Sequence, residues 1–73
     1  MRFVVLAYGP LPAGGVPLGA AETATHVRDG ELVFDAVTSP VTGLQLVDAS
    51  SLDAVLDVLP PTGSFEIRPA GIP

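Results

Sequence analysis

Three side chains in this sequence are of types that could move a proton or hold a ligand. His26 is the only histidine, and Asp35 follows it in the stretch THVRDGELVFD, residues 25 to 35. An imidazole titrates near neutral pH, and a positioned imidazole and carboxylate could together shuttle a proton in general acid–base catalysis. Tyr8, the only tyrosine, ends the first apolar run, where its phenol could hydrogen-bond a ligand or simply form a rim.

The stretch that holds His26 and Asp35 is also typical of a β-hairpin. Asp29-Gly30 is a favoured two-residue turn, and it predicts that Arg28 opposes Glu31 and that His26 opposes Val33. One face of this hairpin is then apolar and expected to point inward; it carries Thr25, Val27, Leu32 and Phe34. The other face is polar; it carries His26, Arg28, Glu31 and Asp35, with Arg28 and Glu31 expected to form a cross-strand ion pair.

On that polar face His26 and Asp35 are diagonal neighbours about 7 Å apart, which long side chains can bridge. Three interpretations of His26 remain open: a solvated hairpin face, a contact at an interface, or a catalytic role. A catalytic base needs a cleft and a tuned pKa. The alternation of side chains along the hairpin places His26 on its polar side, which favours the solvated interpretation. Asp35 could equally serve a strand end or turn.

The elements that must position these residues follow from the hydrophobic pattern. Residues 2–8 predict a central strand covered on both faces, and residues 43–48 and 64–69 predict two further strands. Residues 9–22 are rich in proline and glycine and predict a long loop without helix or strand, in which Leu11, Val16 and Leu18 pack against the sheet or line a pocket.

One helix is predicted in SSLDAVLDVLPP, with Ser50 as N-cap, Asp53 in the capping-box position and an end at Pro60. Its apolar side, which must face a sheet, consists of Leu52, Val55, Leu56 and Leu59. Asp53 and Asp57 lie one turn apart without a third ligand, so a solvated helix side is the simpler interpretation than carboxylate-pair chemistry.

Composition limits the partners. The 73 residues predict a single domain over residues 1–73, and a net charge of −5 argues against nucleic acid and against anionic membranes. There is no cysteine, and one histidine with scattered carboxylates predicts no metal site and no cofactor. Gly14 and Gly15 are followed by no lysine, so no nucleotide loop is expected. No apolar run approaches membrane-spanning length, and a cytoplasmic protein is expected.

The order of elements predicts an α+β fold in which one helix covers one face of an antiparallel sheet. A mean hydropathy of +0.54 is high for so short a chain, which has too much surface to hide its apolar side chains. The uncovered sheet face therefore needs a second layer, and a two-fold mate is the simplest source of one. A homodimer is expected.

The residues resemble the YCII-related family, in particular the branch named for its Asp-Gly-Pro-Phe motif, the DGPF-domain proteins. The similarity runs nearly end to end, from MRFVVLAYG through VRDGELVFDA and GLQLVDASSLDAVLDVLP to GSFEIRPA. It implies a ferredoxin-like fold that dimerises through its sheets into a dimeric α+β barrel. Loop 9–22 stands where the family has a helix, often with a histidine near its start, so the chain resembles a shortened member.

The resemblance places Asp35 at the family's motif aspartate, while Ala36, Val37 and Thr38 replace the rest of the motif. His26 belongs to the hairpin and does not inherit the family histidine's role. The first hypothesis is thus a homodimeric module, non-catalytic or binding a small acidic or cyclic ligand. Two alternatives remain: a small lyase or isomerase using Asp35 with His26 or Tyr8, and an accessory interaction subunit that docks through Leu11 to Leu18.

Overall fold

The computed structural model describes residues 1–71, which form a small α+β protein with antiparallel sheets and one α-helix among the described residues. In chain order the elements are β1 Arg2–Ala7, β2 Val16–Pro17, a 3-10 turn at Ala21–Thr23, β3 His26–Arg28, β4 Glu31–Val33, β5 Gly43–Asp48, α1 Leu52–Val58 and β6 Phe65–Ala70. Within residues 1–71, no helix has the length and apolar character needed to cross a bilayer.

The main sheet has the strand order β2-β5-β1-β6, with every neighbouring pair antiparallel. β1 lies between two partners, as predicted: Val5 pairs with Gln45 on β5 and with Ile67 on β6. Because β5 and β6 are joined through α1 and flank β1, these elements form a split βαβ unit. Strand β5 has the predicted bounds, and β6 is shifted from them by one residue.

The core lies between α1 and one face of this sheet. Phe3 and Val5 are buried on β1 and pack with Val55 of α1, and partly buried apolar residues surround them. Those surrounding residues are Val47, Ala49, Leu59, Phe65 and Ile67. The expectation that β1 is covered on both faces is wrong for the single subunit: burial alternates, and Val4 and Leu6 on the other face stay partly exposed.

Loop 9–22 is less irregular than predicted, because Val16 and Pro17 add an edge strand to the sheet, with Val16 paired to Leu44. A proline is tolerated there because the free edge of an outer strand needs no donor. Leu11 packs against Gly43, where an added Cβ would collide with the leucine side chain. Val16 is exposed and does not pack as predicted, whereas Leu18, although exposed, lines a cleft beside His26, which is one of the two roles predicted for it.

The helix begins one residue later than predicted. Ser51, and not Ser50, is the N-cap, since its hydroxyl accepts a hydrogen bond from the Ala54 amide at 3.3 Å. The predicted apolar side is only half used: Val55 is fully buried, whereas Leu52 and Leu56 are about half exposed.

The hairpin has the predicted register, with Arg28 opposite Glu31 and His26 opposite Val33. Asp29 and Gly30 both have positive φ angles, 53° and 83°, as a type I′ turn requires. The predicted inward face is wrong, however. β3 and β4 form a separate two-stranded sheet, and the apolar side chains Val27, Leu32 and Phe34 are exposed.

The predicted ion pair of the hairpin is not formed either. In the part of the chain that the structure describes, the two ion pairs are Arg2 with Asp48 and Arg68 with Glu66, both on the main sheet. Arg28 and Glu31 project from an isolated ribbon into solvent, where the gain from pairing two flexible charged side chains is small.

Candidate functional site

His26 lies in a cleft and is half-buried, which differs from the solvated position favoured by hairpin parity. Its Nε2 atom forms a hydrogen bond of 2.8 Å with the hydroxyl of Thr38, which lies in the link between β4 and β5. The link folds back beside β3 and covers one side of the imidazole. The strand thus sets the direction of the histidine, and the link fixes its Nε2 atom through Thr38.

Two adjoining cavities share His26 and Thr38 in their walls, one of about 390 Å³ and one of about 420 Å³. The first is also lined by Glu22, Thr25 and Phe34, and the second by Leu18 and Val41. These volumes lie within the range of small-molecule sites. The first cavity thus holds a ring nitrogen, two hydroxyls and a carboxylate, which could orient a small polar molecule.

Asp35 does not join this cleft. It lies just beyond β4, is exposed, lines neither cavity and makes no side-chain hydrogen bond within residues 1–71. A bridge between His26 and Asp35, which the predicted hairpin face would allow, is therefore absent from the single subunit, and the histidine's partner is Thr38 instead. Asp35 is exposed and has no side-chain partner within residues 1–71, so it is not positioned to act with His26.

Tyr8 lies one residue beyond the end of β1, on the side of the main sheet opposite the helix, and is half-buried. Its hydroxyl donates a hydrogen bond of 3.0 Å to Oε1 of Glu66, whose other oxygen accepts from Arg68. The bond to the carboxylate, with desolvation second, raises the pKa of Tyr8, and the bonds from Tyr8 and Arg68 lower the pKa of Glu66. The phenol is thus engaged within the sheet.

The face of the sheet that carries Tyr8 is called the outer face below. No helix of the described chain lies over it, and Leu46 at its centre is 58% exposed. A second ion pair, between Arg2 and Asp48, lies at one end of the outer face. The hydrogen bond from Arg2 and its positive charge lower the pKa of Asp48. The strand registers assign to this face Val4, Leu6, Val16, Leu44 and Leu46, with Arg2, Tyr8, Asp48, Glu66 and Arg68.

The three residues singled out from the sequence thus fall in three places: a cleft, an exposed strand end and the outer face. Sequence reasoning missed Thr38 and Glu22, for which an irregular link and a loop offer no periodic signal. The contact of Glu66 with Tyr8 could have been predicted from the sequence. Alternation along β6 places Glu66 and Arg68 on one face, and antiparallel pairing of β6 with β1 brings that face to Tyr8.

Within residues 1–71, no three side chains from His, Cys, Asp and Glu lie close enough together to hold a metal ion. The chain matches no protein-family model, no curated protein and no solved structure at a significant level.

Proposed function

We propose that this chain is one subunit of a homodimer in which two outer faces pack together, forming an α+β barrel of the YCII-related, DGPF-domain kind. In this proposal the dimer binds a small ligand and is not an enzyme. The uncovered apolar outer face carries the proposal, because burying exposed apolar area is the main driving force of association. The separation of His26, Asp35 and Tyr8 favours binding over catalysis.

The strand order supports a ferredoxin-like assignment. That fold has two split βαβ units with an antiparallel sheet. Here β5, α1 and β6 form one such unit around β1, and β2 occupies the outer position next to β5. Loop 9–22 takes the place of the first helix, so the chain has the sheet of the fold with one of its two helices.

The charge distribution supports a second copy as the cover of the outer face. The chain has eight acids and three arginines, a net charge of −5, and two copies therefore repel one another at long range. The outer face holds two arginines and two acids in two ion pairs and is neutral. The remaining six acids and Arg28 carry the whole charge of −5, so the outer face is where two copies meet without like-charge contact.

The shape of the subunit also supports a face-to-face dimer. Its radius of gyration is 14.2 Å, whereas a compact domain of this length would have about 11 Å. The extents of 39 × 30 × 15 Å describe a flat plate, thick enough for one sheet and one helix layer. Stacking two such plates would give the double thickness of an ordinary globular core.

The association state tests this proposal, by gel filtration with light scattering. The expected result is a dimer at about 10 μM, the concentration at which micromolar association is well populated. Leu46→Asp should give monomers, because it places a charge at the centre of the buried face. Leu56→Asp is the matched control: Leu56 is 49% exposed on α1, against 58% for Leu46, and this variant should stay dimeric. A monomeric native protein would contradict the proposal.

Ligand binding is tested separately, at the cleft of His26. Small cyclic and unsaturated carboxylic acids should shift the amide resonances of His26 and Thr38 in NMR titrations. His26→Ala should abolish those shifts, whereas Tyr8→Phe, outside the cleft, should leave them unchanged. Shifts spread evenly over the surface, unaffected by His26→Ala, would count against a site in this cleft.

The hydrogen bond of His26 inside a cavity favours one second candidate function, a lyase or isomerase in which the imidazole transfers a proton. Asp35 would assist only if it approached the ligand, which the single subunit does not show. Turnover of an unsaturated acid that His26→Gln abolishes would support this candidate, and turnover unchanged in Asp35→Asn would remove Asp35 from it.

A further inference from the structure

We infer that the hairpin is a dimerisation arm, whose apolar side packs against a second copy of this chain at the β2 edge of its outer face, where Val16 is 57% exposed. This inference rests on the proposed dimer and adds to it a second, distinct contact. The arm comprises residues 26–37. Its turn and both strands are ordered by local hydrogen bonds, but it forms its own sheet and does not extend the main one.

The arm carries the two most exposed large apolar side chains found within residues 1–71. Phe34 is 91% exposed and Val37 is 94% exposed, and Val27 and Leu32 pair directly across the hairpin with more than half of each side chain in solvent. Single exposed apolar residues are common on protein surfaces, but four within twelve residues, two of them almost fully exposed, indicate an interaction surface.

An isolated two-stranded ribbon is only marginally stable in water. The Asp29-Gly30 turn nevertheless has the backbone that a tight hairpin requires, and the register follows from it. The sequence therefore specifies a hairpin whose apolar side is exposed in the subunit. Packing of that side against another protein surface would stabilise it.

The area of the sheet argues that the outer faces alone are too small to hold two copies together. Three strands of six residues and the two-residue β2, about 4.8 Å apart, cover a projected area of roughly 300 Å². A standard stable interface buries about 800 Å² on each partner. The arm supplies additional apolar area on the same chain, and in a symmetric dimer each arm is used once, so the contact is doubled.

Charge favours the neutral outer face over the acidic helix side as the surface that the arm contacts. The arm carries Asp29, Glu31 and Asp35 against Arg28, a net charge of −2. The chain's other two cations, Arg2 and Arg68, both lie on the outer face, whereas the exposed side of α1 carries Asp53 and Asp57. An arm approaching the helix side of a second copy is therefore repelled, and one approaching the outer face is not.

The contact can be observed directly by NMR on a dimer mixed from isotope-labelled and unlabelled chains. Isotope-filtered NOE spectra should show cross-peaks between the ring protons of Phe34 in one copy and the methyl groups of Val16 or Leu44 in the other. Phe34 cross-peaks confined to its own chain, or found only with the Phe34 ring of the other copy, would overturn the inference.

Dimer dissociation constants give a second test. Phe34→Ser should weaken the dimer by about tenfold or more, since removing a well-buried aromatic anchor commonly has at least this effect. Val58→Ser is the matched control, because Val58 is exposed on α1 away from both surfaces, and it should leave the constant unchanged. Phe34 packs against little in the subunit, so its replacement should not unfold the chain.

The two tests separate the arm from the dimer itself. If Leu46→Asp gives monomers while Phe34→Ser dissociates like the native protein, the face-to-face dimer stands and the arm inference fails. If the native chain is a monomer at every concentration, both fail. If Phe34→Ser and Leu46→Asp each weaken association, both stand.

Discussion

The hydroxyl of Tyr8 donates a hydrogen bond of 3.0 Å to Oε1 of Glu66, diagonally across β1 and β6 on the outer face. Arg68 binds the same carboxylate, so an acid, a phenol and a guanidinium satisfy one another within the sheet. Such a paired group can be covered by a second subunit without leaving an isolated buried charge, which would be costly. The polar part of the outer face is therefore compatible with an interface.

The Tyr8 hydrogen bond should be visible in the titration of Glu66. Tyr8→Phe removes the largest contribution that holds the Glu66 pKa below its ordinary value of 4.5, so that pKa should rise in the variant. Carboxyl carbon chemical shifts followed by NMR measure it. Asp48 serves as internal control, since Arg2 causes its lowered pKa and the variant does not touch that pair. Equal titration of Glu66 in both proteins would contradict the assignment.

Stability should fall on acidification because of the same two carboxylates. The pKa values of Glu66 and Asp48 are lowered in the folded state, so their contribution is present above their ordinary values of 4.5 and 3.8 and is lost as pH falls through the folded values. Urea unfolding midpoints between about pH 5 and pH 2 measure this dependence.

The acid-sensitive slope should become shallower in Glu66→Gln and in Asp48→Asn, and also at high salt, because both ion pairs are exposed and screened. Tyr8 acts in the opposite pH range: its pKa is raised above 10.0, so its contribution is lost as pH rises through that folded value. A slope unchanged in both carboxylate variants would show that these pairs do not govern acid unfolding.

Gly43→Ala should destabilise the fold by about 1–3 kcal/mol, the usual effect of overpacking. An added Cβ would collide with the Leu11 side chain and would lie 2.7 Å from the carbonyl oxygen of Val16. Chemical denaturation at one fixed protein concentration measures the change. The double variant with Leu11→Ala should recover only part of the loss, because the backbone contact remains.

Gly9→Ala is the matched control for that experiment. No heavy atom lies within 4 Å of a Cβ at Gly9, so stability should stay unchanged or rise by up to about 1 kcal/mol. Similar losses in the two variants would mean that the close approach of Leu11 and β2 to Gly43 is not what requires glycine there.

Ser51→Ala should cost about 1 kcal/mol of stability, since it removes the hydroxyl that accepts from the Ala54 amide. Ser50→Ala, next to it, should change stability by no more than about 0.5 kcal/mol, because Ser50 is exposed and does not cap the helix. Thermal unfolding of the two variants decides between them. A larger loss of stability in Ser50→Ala than in Ser51→Ala would show that Ser50 is the N-cap, as the sequence predicts.

Val55→Ala should destabilise the protein by about 2 kcal/mol, because Val55 is fully buried between α1 and the sheet and a cavity would remain. Val58→Ala, one helical turn on and 62% exposed, should have an effect below about 0.5 kcal/mol. The difference between their free energies of unfolding in urea tests the assignment of the inner face of the helix.

Local chemistry explains why some of the fold could be predicted. The Asp29-Gly30 turn sets the hairpin register, since both residues tolerate positive φ and the pairs on either side follow from the turn. The prolines at 60 and 61 end α1, and alternation in β5 and β6 follows from the two-residue period of strands. These features depend on neighbours within a few residues.

The candidate site was less accessible to such reasoning. His26 acquires its partner because the link between β4 and β5 returns beside β3 and brings Thr38 to the imidazole. Neither composition nor periodicity encodes the path of an irregular link. The position of Asp35 is likewise not encoded locally. The sequence predicts that strand pairing continues past Val33 and places Asp35 on the polar side of the hairpin, but the pairing ends at Val33.

From its residues alone, this sequence determined an α+β chain with a central first strand, a tight hairpin, one helix and too much apolar surface for one small subunit. Only the tertiary structure decided which surface stays open. The helix covers one face of the sheet, the proline-rich loop contributes an edge strand in place of a cover, and the hairpin turns away to form its own ribbon. The hydrophobic pattern of the sequence indicates which side chains favour burial, whereas the three-dimensional path of the chain decides which of them are covered.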